Sequence, residues 1–211
     1  MVRVDLHARA AADGVDLAAA LAALRDLYAD VDARNQRNTA TLELPCHSGC
    51  SSCCEESVLL TRLEFYGVWD YVQSTCDDAT LSKIVADGLA LHDKHRAAIE
   101  RLAQGHIDHL LGVSFRCPML DDGGACRAYP MREIKGRLFG CSFNDEGGVY
   151  GCHLVGAHLA DRLVTLVRAR PMAARIHDLP LGTGQQIYPF YIHELYGADA
   201  PAIGPVTCVE Q

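Results

Sequence analysis

Four thiols crowd into nine residues, Cys46-His47-Ser48-Gly49-Cys50-Ser51-Ser52-Cys53-Cys54, and this C-x3-C-x2-C-C run limits what the chain can be. A buried free cysteine packs as a small hydrophobe that Ala or Val could replace. Cysteine crowded onto a polar Ser/Gly loop therefore implies a use for sulfur itself. The loop presents several soft donors to one point, which is what zinc or an iron-sulfur cluster requires.

The rest of the composition leaves that signal local. A chain of 211 residues can build one domain with a true core, so metal is not needed merely to fold. Its ten cysteines are fewer than the ~8–10% of a disulfide-dense secreted scaffold, and they are concentrated rather than scattered. Asp5, Arg9, Asp13, Asp16, Arg25 and Asp26 interrupt residues 1–31 and leave no apolar leader core. No window approaches a membrane span. The expectation is a cytoplasmic protein with reduced thiols, in which a cysteine constellation binds metal more often than it forms disulfides. A net charge of -8 without a Lys/Arg block argues against nucleic acid and acidic membrane surfaces as partners.

Along the chain, Leu17, Leu21, Leu24, Tyr28 and Val31 recur at steps of four and three, predicting an amphipathic helix over residues 15–37. Its seam would pack on the cysteine-bearing part, on a protein partner, or on a second copy. Pro45 then brings the chain into the cysteine loop in extended form. Thr61-Arg62-Leu63-Glu64 has capping-box spacing ahead of Phe65, Trp69 and Val72, and residues 77–80 break that helix. Ile84, Gly88, Leu91, His95, Ile99 and Leu102 mark one long helix over residues 80–104, which a short stretch through Leu110 and Leu111 would extend.

From Phe115 the pattern changes to short strands. Phe115-Arg116-Cys117-Pro118-Met119-Leu120 and Ala125-Cys126-Arg127-Ala128-Tyr129 flank Asp121-Asp122-Gly123-Gly124, predicting a hairpin with Leu120 opposite Ala125 and Cys117 opposite Ala128. A second hairpin is predicted with Asn144 opposite Val149, which sets Cys141 against Cys152; a slip of one residue would part them. Leu154, Val155, His158, Leu159, Leu163, Leu166 and Val167 predict a helix ending before Pro171, with Cys152 at its N-terminal end. Beyond Arg175 only irregular aromatic packing is expected. His92/His95 and His106/His109 are spaced to share a helix face, but packing or solvated roles account for them. His47 and His153, beside ligand cysteines, are better placed to ligate or to support a ligand. Cys76 and Cys208 carry no such expectation.

Taken together, Cys46, Cys50, Cys53 and Cys54, then Cys117 with Pro118 and Leu120, then Cys126, Tyr129 and Arg132, give a chain that resembles the YkgJ-like cysteine-cluster family of zinc- or iron-chelating proteins. The order of motifs carries the likeness, over residues 46–152. That pattern usually continues after the Arg as Pro-x-x-Cys-Arg-x-Phe, where this chain has Glu133 for the Pro and Gly136 for the Cys. Cys141 stands as a substitute, and Cys152 matches the last cysteine of the family. The resemblance implies metal binding through cysteine. A related cluster in flagellin lysine methylases, with an iron-sulfur cluster implicated, keeps an enzyme or electron-transfer reading open.

Cys46, Cys50 and Cys53 also match the C-x3-C-x2-C triplet of radical SAM enzymes. Those enzymes need alternating strand-helix units, which this chain lacks, and Ser52 stands where they usually carry an aromatic. Eight candidate thiolates exceed the four of one zinc site or one four-cysteine cluster, so two metals or supporting cysteines are implied. The expected architecture is mainly α, with helices packed around a cysteine-rich loop and short β-hairpins that form a metal centre. Residues 1–45 form an N-terminal helical extension, 46–155 the cysteine-cluster domain, and 156–211 a C-terminal helix and tail on the same domain. The expected ligands are Cys46, Cys50, Cys53, Cys54, Cys117, Cys126, Cys141 and Cys152, to zinc or an iron-sulfur cluster. Arg132 and Arg137 would offset their charge.

Overall fold

Asp5 and Asp16 accept hydrogen bonds from the backbone N–H groups of Ala8 and Ala19, and so begin helices α1 (Leu6–Ala12) and α2 (Leu17–Thr39). In the computed structural model, which describes residues 3–46, 49–105 and 113–198, the seam Leu17, Leu21, Leu24, Tyr28 and Val31 is buried as its spacing predicts. It packs within the chain, where α2 lies on α3 (Arg62–Thr75) and α6 (Ile134–Leu138). Over the described residues the chain is mainly helical, with one small sheet. Among the described residues, no helix is long and apolar enough to cross a membrane. Leu110, Leu111, His106, His109, His47 and Cys208 lie outside the described residues.

The capping box at Thr61 and Glu64 forms as expected, and its carboxylate does more than cap. Glu64 is buried, with Oε2 accepting from the Thr61 N–H (2.8 Å) and hydroxyl (3.0 Å). Its Oε1 accepts from the Ile134 N–H (2.8 Å) and the Tyr28 hydroxyl (3.3 Å). One carboxylate thus joins α2, α3 and α6. Burial, the largest influence on it, raises its pKa.

The long helix predicted over residues 80–104 is two helices, α4 (Asp78–Lys94) and α5 (Arg96–Ala103), divided at His95. The division lets the two halves serve different cores. Leu81 and Ile84 face the main core, whereas Ile99 and Leu102 pack with Phe115 and Ile187 in a separate cluster. The aromatic C-terminal stretch is not irregular either. Tyr188, Tyr191, Ile192 and Leu195 recur at helical spacing along α9 (Tyr188–Tyr196), with Pro189 in its first turn. Helix α9 packs on α4, and Ile192 presses so close to Gly88 that a Cβ there would stand 2.5 Å from its Cδ1. The Phe65 ring stacks on Trp69 and on Tyr191, with centroids 5.7 and 4.8 Å apart.

Three strand and helix expectations need correction. In place of the first hairpin there is a single antiparallel bridge, Leu120 with Cys126, one residue out of the expected register. The Asp121 carboxylate accepts from the Ala125 N–H (2.8 Å), which lengthens the turn to include Ala125. The second hairpin, β1 (Ser142–Phe143) and β2 (Val149–Tyr150), pairs Phe143 with Val149, also one residue from the prediction. Asn144 causes this, because its N–H reaches the Gly148 carbonyl and its Oδ1 takes the Gly148 N–H, both at 2.8 Å. Cys141 and Cys152 are therefore not opposed.

The helix expected through Val167 ends at Leu159, forming α7 (His153–Leu159), and leaves Leu163 fully exposed. Val164-Thr165-Leu166-Val167 is rich in β-branched residues, and β3 (Val167–Arg168) instead pairs in parallel with β1. Pro171 does not stop a helix but sits in the first turn of α8 (Ala169–Ala174), where a missing N–H costs nothing.

Replacing Glu64 by Gln would leave one acceptor oxygen and turn an NH2 toward backbone and hydroxyl donors. Urea unfolding of Glu64→Gln is expected to show a loss of about 2 kcal/mol. The exposed control Glu100→Gln should stay within about 0.5 kcal/mol of the parent.

Candidate metal centre

The cysteine loop meets the remote Cys-Pro segment through backbone pairing. A 3-10 turn, Ser52–Glu55, exposes the Cys54 carbonyl to the Cys117 N–H (2.8 Å) and the Glu55 carbonyl to the Phe115 N–H (3.1 Å). The Ser114 hydroxyl also donates to Glu55, and the Ser57 hydroxyl to Val113, both at 2.6 Å. Residues 113–117 thus run antiparallel to residues 54–57, through the bridge of Glu56 with Ser114. Cys126 joins them because Leu120 bridges it. The turn before it packs under the loop, where Gly124, at φ +84°, lies so close that a Cβ would stand 3.0 Å from the Gly49 carbonyl oxygen. On the other side, Cys46 Sγ lies 3.8 Å from the place a Cβ on Gly140 would take, beside the second hairpin.

These segments enclose a cavity of about 740 Å³. Seven of the eight candidate thiols line it, from Cys46, Cys50, Cys53, Cys54, Cys117, Cys126 and Cys152. Cys141 is not among the lining residues, although it lies near enough to Cys46 to raise that thiol, and Cys76 packs at the edge of the main core. All nine described cysteines are free thiols. His153 is exposed at the start of α7, beside Cys152. His92 stacks on His193 with ring centroids 3.7 Å apart, and His95 packs on Phe115, so both have packing roles.

Arg132 lines the cavity and stacks over the exposed Tyr129 ring at 4.5 Å. The Arg137 guanidinium is spent elsewhere. It pairs with Asp32, donates to the carbonyls of Pro130 and Arg132, and covers the Tyr28 ring at 3.9 Å. Sequence reasoning missed Lys135 and Tyr188 as cavity residues and treated Glu133 only as a departure from a motif, yet all three line the wall. No sequence pattern marked them, because Glu133 and Lys135 read as ordinary charged residues at a helix start.

The thiols are electrostatically unequal. Cys53 and Cys54 Sγ atoms lie 4.0 Å apart. The hydrogen bond from Cys54 lowers the Cys53 thiol to about 6, with Arg132 assisting, and the same bond followed by burial raises Cys54. Burial pushes Cys117 up and brings Cys126 to about 11. Cys46 is raised by burial and then by Cys141, Cys50, Cys152 and Cys53. The charge of Glu133 raises Cys53, Cys117 and Cys126 alike.

The donor set suits a soft or borderline metal. Two thiolates on one tetrahedral zinc, at about 2.3 Å each, stand about 3.8 Å apart, close to the Cys53–Cys54 spacing. Among the described residues, no three His, Cys, Asp or Glu side chains are already drawn together as the ligands of one ion are. Binding would have to gather the thiols inward from the cavity wall.

In reduced, metal-free protein, Cys53 is a thiolate above about pH 6, whereas Cys126 stays protonated until about pH 11. Peptide mapping after brief alkylation at pH 7 is expected to find Cys53 modified and Cys126 largely spared. Cys54→Ala should return the Cys53 midpoint toward about 8.5.

No protein-family model matches this chain, and comparison with curated proteins and with solved structures gives no match either. The functional reading therefore rests on the thiols and their surroundings.

Proposed function

We propose that this chain is a metal-binding protein that chelates zinc or iron through clustered cysteine thiolates. The observation that carries the reading is the convergence of seven free thiols, from residues far apart in sequence, on one cavity wall. Apolar packing gives no reason to gather thiols whose repulsion raises one another's pKa. A cation removes that repulsion by taking the thiolates as ligands. The motif order that resembles the YkgJ-like family supports the same reading. When bound, the metal would tie the cysteine loop, the Cys-Pro segment and the second hairpin into one unit. Arg132 would offset the excess negative charge and donate hydrogen bonds to sulfur.

A second reading, an iron-sulfur-dependent enzyme or electron-transfer partner, is favoured by the size of the cavity. About 740 Å³ falls in the range of small-molecule sites, and its wall sets the apolar Val58, Leu59, Met119 and Phe139 beside the polar Arg132, Glu133 and Lys135. That volume leaves room for an organic ligand beside a metal.

Anaerobic purification with elemental and acid-labile sulfide analysis separates the two. Stoichiometric zinc in colourless protein supports chelation, and brown protein with labile sulfide supports the cluster. Cys50→Ser and Cys117→Ser are each expected to lose most of the metal, whereas Cys76→Ser and Cys141→Ser keep it. Equal metal content in all four variants would overturn the assignment.

A further inference from the structure

Glu133 precedes α6 with only 6% of its surface exposed. A carboxylate so far from water needs hydrogen bonds or a cation, because a bare buried charge is costly. Its side chain accepts one hydrogen bond, from the Tyr188 hydroxyl to Oε2 at 2.9 Å. Among the described residues it makes no ion pair. Lys135 is near enough for its charge to be felt, but its ammonium donates to Gln185 Oε1.

The other oxygen is placed by a glycine. Oε1 lies 2.5 Å from the point a Cβ on Gly136 would occupy, so the carboxylate rests in the space the glycine leaves and would have to shift if that residue carried a side chain. Glu133, Gly136 and Tyr188 all line the thiol cavity, together with Cys53, Cys117 and Cys126. A carboxylate and several thiolates facing one cavity would repel one another, so ionising these thiols beside Glu133 calls for a cation between them.

We propose that Glu133 supplies a carboxylate oxygen to the metal beside the thiols of Cys53, Cys117 and Cys126, with the Tyr188 hydroxyl holding its second oxygen. The proposal rests on the reading of this cavity as a metal site and makes that site one of mixed sulfur and oxygen donors. Zinc and iron both take carboxylate oxygen beside softer ligands. A ligating carboxylate is itself hydrogen-bonded, which is the part Tyr188 plays. A phenol hydroxyl keeps its proton at neutral pH, so Tyr188 is a donor to that oxygen.

Cobalt(II) added to reduced, metal-free protein tests this, because its ligand-field bands report the balance of sulfur and oxygen donors. Glu133→Gln is expected to weaken cobalt binding by at least about tenfold and to shift the bands, with Tyr188→Phe costing about tenfold in affinity. Glu100→Gln, an exposed carboxylate that does not line the cavity, should change neither. If Glu133→Gln does not fold, Glu133→Asp decides, since it keeps the charge but withdraws the oxygen by one methylene. Unchanged bands and affinity in the Glu133 variant that folds, with cobalt still lost in Cys117→Ser, would overturn the role of Glu133 and leave the metal site standing. Parent protein that binds neither cobalt nor zinc would overturn both.

Discussion

The candidate site depends on the pairing of residues 54–57 with residues 113–117. Without the Cys117 N–H bound to the Cys54 carbonyl, the Cys-Pro segment and the cysteine loop would have no common frame. Backbone hydrogen bonds suit this task because they fix register without consuming the side chains, and leave each sulfur free to face the cavity. The Leu120 bridge then fixes Cys126 relative to Cys117, and the Gly49–Gly124 contact seats the loop on the turn.

Behind the site stands a helical frame whose own organising group is the Glu64 carboxylate. It accepts from two neighbouring helices and from its own cap, and so fixes α6. Glu133, one residue before α6, reaches the cavity because α6 is held in this way. Two buried acids thus have different duties. Glu64 is surrounded by donors, whereas Glu133 faces thiols with a single hydroxyl to support it.

What the sequence disclosed and what it hid follow a physical division. The α2 seam and the Thr61–Glu64 capping box were readable because helix periodicity and caps are local. Seven of the eight cysteines singled out by their spacing line one cavity, but the hairpins were each misjudged by one residue. Strand register there depends on single side-chain bonds, from Asp121 to Ala125 and from Asn144 to Gly148, and alternation does not reveal them. The break at His95 answers to two separate cores and has no local signature. Helix α9 was overlooked although Tyr188, Tyr191, Ile192 and Leu195 carry its spacing, because surrounding Gly and Pro residues suggested loop. Glu133 stood out in the motif only as a mismatch, and its burial could not be read from neighbours.

Tyr188 belongs to two places at once. Its hydroxyl meets Glu133 at the cavity, and its ring lies against Phe65 in the aromatic core, with centroids 6.4 Å apart. Close-packed rings leave no slack for the phenol to swing alone. Helix α9 therefore joins this cavity residue, past the tight seat of Ile192 on Gly88, to His193, whose ring stacks on His92. The same nine-residue helix thus carries both a wall of the thiol chamber and one ring of the imidazole pair.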